Sequence, residues 1–107
     1  MPEHEETYRV IVSKRASRQL VSQAAFAAQL EERLAYQLVE DFQEAAASLK
    51  KFPYRNPVLR SDEFTTEKYR KMLFGKWYLM LYQIKGDTVL IEYVIDGRQD
   101  YQWLLKT

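Results

Sequence analysis

The chain has 107 residues, 47% of them apolar, with three Gly, three Pro and a formal net charge of +1, a composition that describes one folded domain rather than a linker or a disordered tail. It has no cysteine and one histidine, His4, which argues against disulfides, a thiolate nucleophile, a Cys/His metal site and a histidine-based triad. No window approaches the ~18 consecutive apolar residues of a membrane span, and the start MPEHEETYR lacks the basic-then-apolar pattern of a signal peptide. A cytoplasmic protein without membrane contact is expected.

Residues 1–7 read as a flexible arm. Tyr8 to Ser13, YRVIVS, alternates Tyr8, Val10 and Val12 with Arg9, Ile11 and Ser13 and is rich in β-branched residues, predicting a first strand with a buried face. Ser13 supplies an N-cap hydroxyl, and Ala16 to Gln23 is expected as a first helix with Leu20 and Val21 inward. From Phe26 to Lys50, Ala27, Leu30, Leu34, Leu38, Phe42, Ala45 and Leu49 recur at three- and four-residue steps, the mark of a long amphipathic second helix. Phe52-Pro53 and Asn56-Pro57 stop it, since a residue before proline leaves the helical region. After a polar loop, Tyr54 to Thr66, three strands are predicted at Lys68–Phe74, Trp77–Ile84 and Thr88–Ile95. The joints Gly75-Lys76 and Lys85-Gly86-Asp87 are short enough for hairpin turns, so these strands form an antiparallel meander. Tyr101 to Leu105 reads as a short C-terminal helix. The whole is a single α+β domain over residues 1–107 with its helices on one sheet face and the other face open to a partner or substrate.

Charge is uneven along the chain. Residues 1–49 carry five Lys or Arg against eight Asp or Glu, and residues 50–107 carry eleven against seven, hence −3 and +4. The second half is where an anion is expected, although a difference of this size is also common on solvated surfaces.

The element order and the residues that mark it resemble the RelE/ParE superfamily of bacterial toxins, the toxic halves of type II toxin-antitoxin modules. YRVIVSKRASRQL, ASLKKFPYRNP and YRKMLFGKWYLMLYQIKGDTVLIEYVIDGRQDYQWLL carry the resemblance, which spans Tyr8 to Leu105. It implies a two-helix hairpin on the sheet, a cognate antitoxin that wraps the toxin in a hetero-oligomer, and no cofactor. The implied target is ribosome-bound mRNA for RelE-like members, which are metal-independent endoribonucleases, or DNA gyrase for ParE-like members. A second function class is an inactive toxin fold kept as a binding module or co-repressor.

Cleavage of RNA by its own 2′-hydroxyl needs a base, an acid and positive charge on the phosphate. Within the resemblance, Arg98, Tyr101 and Arg70 are the candidate catalytic residues, and Arg55, Arg60, Arg70, Lys71, Lys76 and Arg98 are the candidate nucleic-acid contacts. No metal ligands are assigned. Phe74 stands where RelE-like nucleases tend to carry a basic residue, and VIDGRQDY is closer to the Gly-Arg-x-Asp turn of ParE-like members, so the nuclease set reads as incomplete. Arg98 also lies two residues from both Asp96 and Asp100, where pairing with a carboxylate and fixing the turn is at least as good a reading as phosphate contact. Trp77, Tyr78, Tyr82 and Tyr93 are expected to pack across strands more than to stack on bases.

Overall fold

The computed structural model describes residues 7–59 and 68–98. The predicted C-terminal helix Tyr101–Leu105, most of the N-terminal arm and the second half of the polar loop lie outside them. In chain order the elements are β1 (Arg9–Val12), α1 (Lys14–Leu30), α2 (Glu32–Ser48), a 3-10 turn (Pro53–Arg55), β2 (Arg70–Phe74), β3 (Tyr78–Lys85) and β4 (Thr88–Asp96). The fold is α+β, as the strand and helix periodicities require.

Helix α1 starts where expected, with Ser13 Oγ accepting from the Ala16 N–H at 3.0 Å. That bond satisfies one of the amide donors a helix leaves free at its start. It ends later than predicted. The apolar stripe from Ala27 to Leu49 does not ride on one long helix: Glu31 turns extended, with φ −163° and ψ 128°, and two helices of 17 residues each result. Neither Gly nor Pro marks the reversal. The Glu31 N–H still bonds the Ala27 carbonyl, and its carboxylate is gripped by Arg33 at 3.1 Å. The reason for the break is coverage. Folded back, two helices lie over the sheet side by side, whereas one helix of 24 residues would run about 36 Å in a single line. Val21, expected inward, is 67% exposed, and Leu30 of the apolar stripe is 71% exposed.

The sheet order is β1-β4-β3-β2. β2, β3 and β4 form the predicted antiparallel meander, with Gly75 and Gly86 both at φ +60° in the two turns, a conformation glycine adopts without steric cost. β1 pairs in parallel with only the first half of β4, from Arg9↔Thr88 to Val12↔Ile91. Beyond Ile91 the edge of β4 is closed by side chains of the α1 segment: Ser13 Oγ donates to the Glu92 carbonyl at 3.3 Å, and Gln19 Oε1 accepts from the Val94 N–H at 2.8 Å. Glu92 is the extra residue of a bulge, since Leu81 pairs with Tyr93 and Tyr82 with Ile91. Its carboxylate accepts a hydrogen bond from the Gln83 amide, which gives the charge a polar partner in an otherwise apolar strand.

The main core lies between helices and sheet, built from Leu38, Phe42 and Leu49 of the α2 region against Phe74, Met80, Tyr82, Ile91 and Val94. The opposite sheet face is not open at its centre, contrary to expectation. Leu79, Leu81, Tyr93 and Ile95 are buried there with Leu59, and Tyr69 packs against them. The sequence carries the reason: β3 reads LMLY through its middle, apolar at both parities, and a strand apolar on both faces is stable only when both are covered.

Candidate functional site

Strand alternation places Arg70, Met72 and Phe74 on the helix side of β2, opposite Tyr82, Met80 and Tyr78 of β3. Lys71 consequently faces the other side of the sheet. Four residue steps separate Arg70 from Phe74, about 13 Å along the strand. These two ends of β2 bound the candidate site.

At the Arg70 end, the guanidinium donates to the Asn56 carbonyl at 2.6 Å and to the Tyr54 carbonyl at 3.2 Å. It also lies 5.0 Å from the Tyr54 ring centre, within cation–π range. Beneath it the buried Tyr82 hydroxyl donates to the Pro53 carbonyl at 2.5 Å and accepts from the Asn56 amide at 3.1 Å. Burial pushes the Tyr82 phenol above its ordinary pKa, while the Asn56 hydrogen bond and the charges of Arg70 and Arg55 pull the other way. Arg55 donates to Ser48 Oγ at 3.0 Å.

At the Phe74 end, the turn into β3 meets the residues that follow β4. The Gly97 N–H bonds the Trp77 carbonyl at 2.7 Å, and a Cβ at Gly97 would sit 2.8 Å from that same oxygen, so only glycine fits this approach. Arg98, next in the chain, makes a two-pronged ion pair with Asp96 at 2.6 and 3.0 Å and stands 4.1 Å over the Trp77 ring. Its backbone N–H also donates to Asp96 Oδ1 at 2.9 Å. The hydrogen bond from Arg98 holds the Asp96 carboxyl below its usual range, and that bond in turn raises the Arg98 guanidinium. Phe74 is 5% exposed, edge-on to Phe42 and stacked with Tyr78 at ring separations of 5.6 and 5.7 Å.

Between these ends runs an open groove of ≈ 970 Å³, bounded by the helix hairpin on one side and the β2–β3 turn on the other. Phe26, Leu30 and Leu34 give it an apolar wall; Lys76, Trp77 and Arg98 stand together at one end and Arg55 lies on its lining. Leu30 and Leu34 belong to the apolar stripe that marks the second helix, and spacing alone does not separate a groove wall from a core contact.

Of the residues singled out in the sequence, Arg98 and Lys76 come together beside Trp77, Arg55 and Arg70 gather at the opposite end, and Lys71 stands apart. Tyr101 and Arg60 lie outside the described residues. Tyr78, Tyr82 and Tyr93 pack, as expected of strand aromatics; Trp77, 37% exposed, is a wall of the groove. Among the described residues no group of His, Cys, Asp or Glu could hold a metal ion, and no helix is long and apolar enough to cross a membrane.

Comparison with curated proteins gives no match. The fold is similar to a solved chain of the chromosomal ParDE TA system from P. aeruginosa, with a TM-score of 0.71 at 15% identity, covering 85% of this chain and 97% of that one. A family model described as the ParE toxin of the type II toxin-antitoxin system, parDE, matches residues 10–101. With nearly the whole chain inside that match, from the first strand through Arg98 and Tyr101, the protein belongs to the ParE family of type II toxins.

Proposed function

We propose that this protein arrests bacterial growth by binding DNA gyrase in the cytoplasm, without cutting mRNA, and that a cognate antitoxin silences it in a hetero-oligomeric complex. The observation that carries this reading is the state of Arg98. A phosphate clamp in a ribonuclease needs a guanidinium free to meet negative charge as it develops, and here both prongs of Arg98 are engaged by Asp96. Two further features support it. Arg70 stands at the end of β2 away from the β2–β3 turn and is anchored to backbone carbonyls, and the position where nuclease relatives tend to place a cation is a core phenyl ring. Inhibition by surface binding uses instead what the groove offers: exposed apolar residues with Trp77 and two cations at its rim. An amphipathic antitoxin segment suits the same groove, its apolar side on Phe26, Leu30 and Leu34.

Inducible expression of the wild type tests this, with growth, translation and DNA-damage signalling read together. The expected result is arrest with damage signalling and continued translation, reversed by co-expressing the antitoxin. Arrest with an early block of translation and cleaved mRNA would refute it in favour of a ribosome-dependent nuclease. A soluble, folded protein that causes no arrest would indicate an inactive binding module.

A further inference from the structure

The knuckle joining α2 to β2 gathers charge of one sign. Residues 45–61 contain Lys50, Lys51, Arg55 and Arg60 and no Asp or Glu. Folding adds Arg70, which reaches this segment from β2 through the Tyr54 and Asn56 carbonyls. Carbonyls and hydroxyls are the partners of Arg70 and Arg55 among the described residues, and such neutral partners position a guanidinium without cancelling its charge.

Two large rings stand in the same place, Phe52 at 61% and Tyr54 at 58% exposure. Tyr54 is held: Arg70 lies over its ring at 5.0 Å, and Tyr8 meets it nearly edge-on at 6.4 Å. The Tyr8 N–H in turn bonds the Lys50 carbonyl at 2.7 Å, tying the first strand to the end of α2. The result is a preorganised ring, backed by a cation, with more than half its surface in solvent.

Cations that track a backbone and an open aromatic face are the two parts of a single-strand binding surface, the first for phosphates and the second for an unstacked base. A duplex keeps its base faces inward and has nothing to lay on Tyr54. An acidic peptide would meet the cations but leave the rings unused. We infer that the Lys50–Arg55 knuckle binds single-stranded nucleic acid, with phosphates on Lys50 and Arg55 and a base stacked on Tyr54 beside Phe52. No bond is cut, and the inference does not depend on which machine the toxin inhibits.

Fluorescence anisotropy of the full chain with labelled oligo(dT), oligo(U) and a duplex of equal length, across a salt series, tests it. Both single strands are expected to bind more tightly than the duplex, and their relative affinity tells DNA from RNA. Lys50→Ala with Arg55→Ala should lower the salt slope by about 1.4, from roughly 0.7 per phosphate. Tyr54→Ala should weaken single-strand binding about tenfold and abolish the preference over duplex, whereas Tyr54→Trp, which keeps a ring, should retain both. Lys14→Ala with Arg18→Ala, two exposed cations at the start of α1, should change neither. Equal loss in that control pair, duplex bound as tightly as single strands, or a Tyr54→Ala protein of unchanged affinity would each overturn the inference. Oligonucleotide binding is read in vitro and growth arrest in cells, so this inference and the gyrase reading fail separately.

Discussion

Each end of β2 holds an arginine beside an aromatic ring, Arg70 with Tyr54 and Arg98 with Trp77. At the first, the hydrogen-bond partners are backbone carbonyls; at the second, they are the two oxygens of Asp96. A carbonyl fixes geometry and leaves a net positive charge, whereas a carboxylate fixes geometry and removes it. The same residue type thus keeps its charge uncancelled at Arg70 and has it offset by a carboxylate at Arg98. Sequence proximity foretold only the second, because Asp96 is two residues from Arg98 while the carbonyls that hold Arg70 come from a loop more than a dozen residues upstream.

The Phe74 end rests on a packed floor, and the largest expected effect comes from removing it. Phe74→Ala should cost about 3–5 kcal/mol in urea denaturation, the usual range for emptying a buried phenyl site; a loss under about 1 kcal/mol would mean that Phe42 and Tyr78 close the gap and the floor is soft. Gly97→Ala comes next. Its Cβ would meet the Trp77 carbonyl at 2.8 Å, so about 1–3 kcal/mol should be lost by overpacking, and the Trp77 fluorescence should shift as the Arg98 turn moves away.

Arg70→Met probes the charged end. It keeps most of the apolar stem but deletes both carbonyl contacts, and about 1–2 kcal/mol of stability should go with them. Tyr54 quenching by iodide should rise as the ring loosens; an unchanged melting curve would mean that the 3-10 turn holds itself without Arg70.

The smallest effect is the acid limb of the Asp96–Arg98 pair. Asp96 has a lowered pKa in the fold, so its contribution is fully present above the unfolded value, about 3.9, and is lost as pH falls through the lower folded value. Wild type and Asp96→Asn should therefore differ most near neutral pH and converge below about pH 4. Because the Arg98 side of the pair is exposed, salt should shrink the difference. A gap that persists in acid would show that Asp96 acts through the Arg98 backbone N–H and the turn geometry rather than through charge.

Much of the fold was legible in the residues themselves. YRVIVS, the apolar runs of β3 and β4 and the two glycine turns encode local conformation, and local conformation depends on nearest neighbours. The Ser13 cap was readable for the same reason. The helix break at Glu31 was not, since no Gly or Pro marks it and the apolar stripe runs through it unbroken; the reversal is set by how two helices share one sheet face. The candidate site divides the same way. Arg98 and Asp96 were adjacent on paper. The groove wall of Leu30 and Leu34 was hidden because an exposed leucine and a core leucine have the same periodicity.

The amino-acid sequence by itself determined the class of fold, the strand turns, the family likeness and the carboxylate that holds Arg98, because each depends on residues a few positions apart. Only the tertiary structure decided that β1 joins β4 in parallel, that the Arg70 side chain reaches from β2 to the Tyr54 loop, and that cations from two segments meet beside an exposed ring. Those are contacts between distant parts of the chain, and their partners are selected by the packing of the sheet against the helix hairpin.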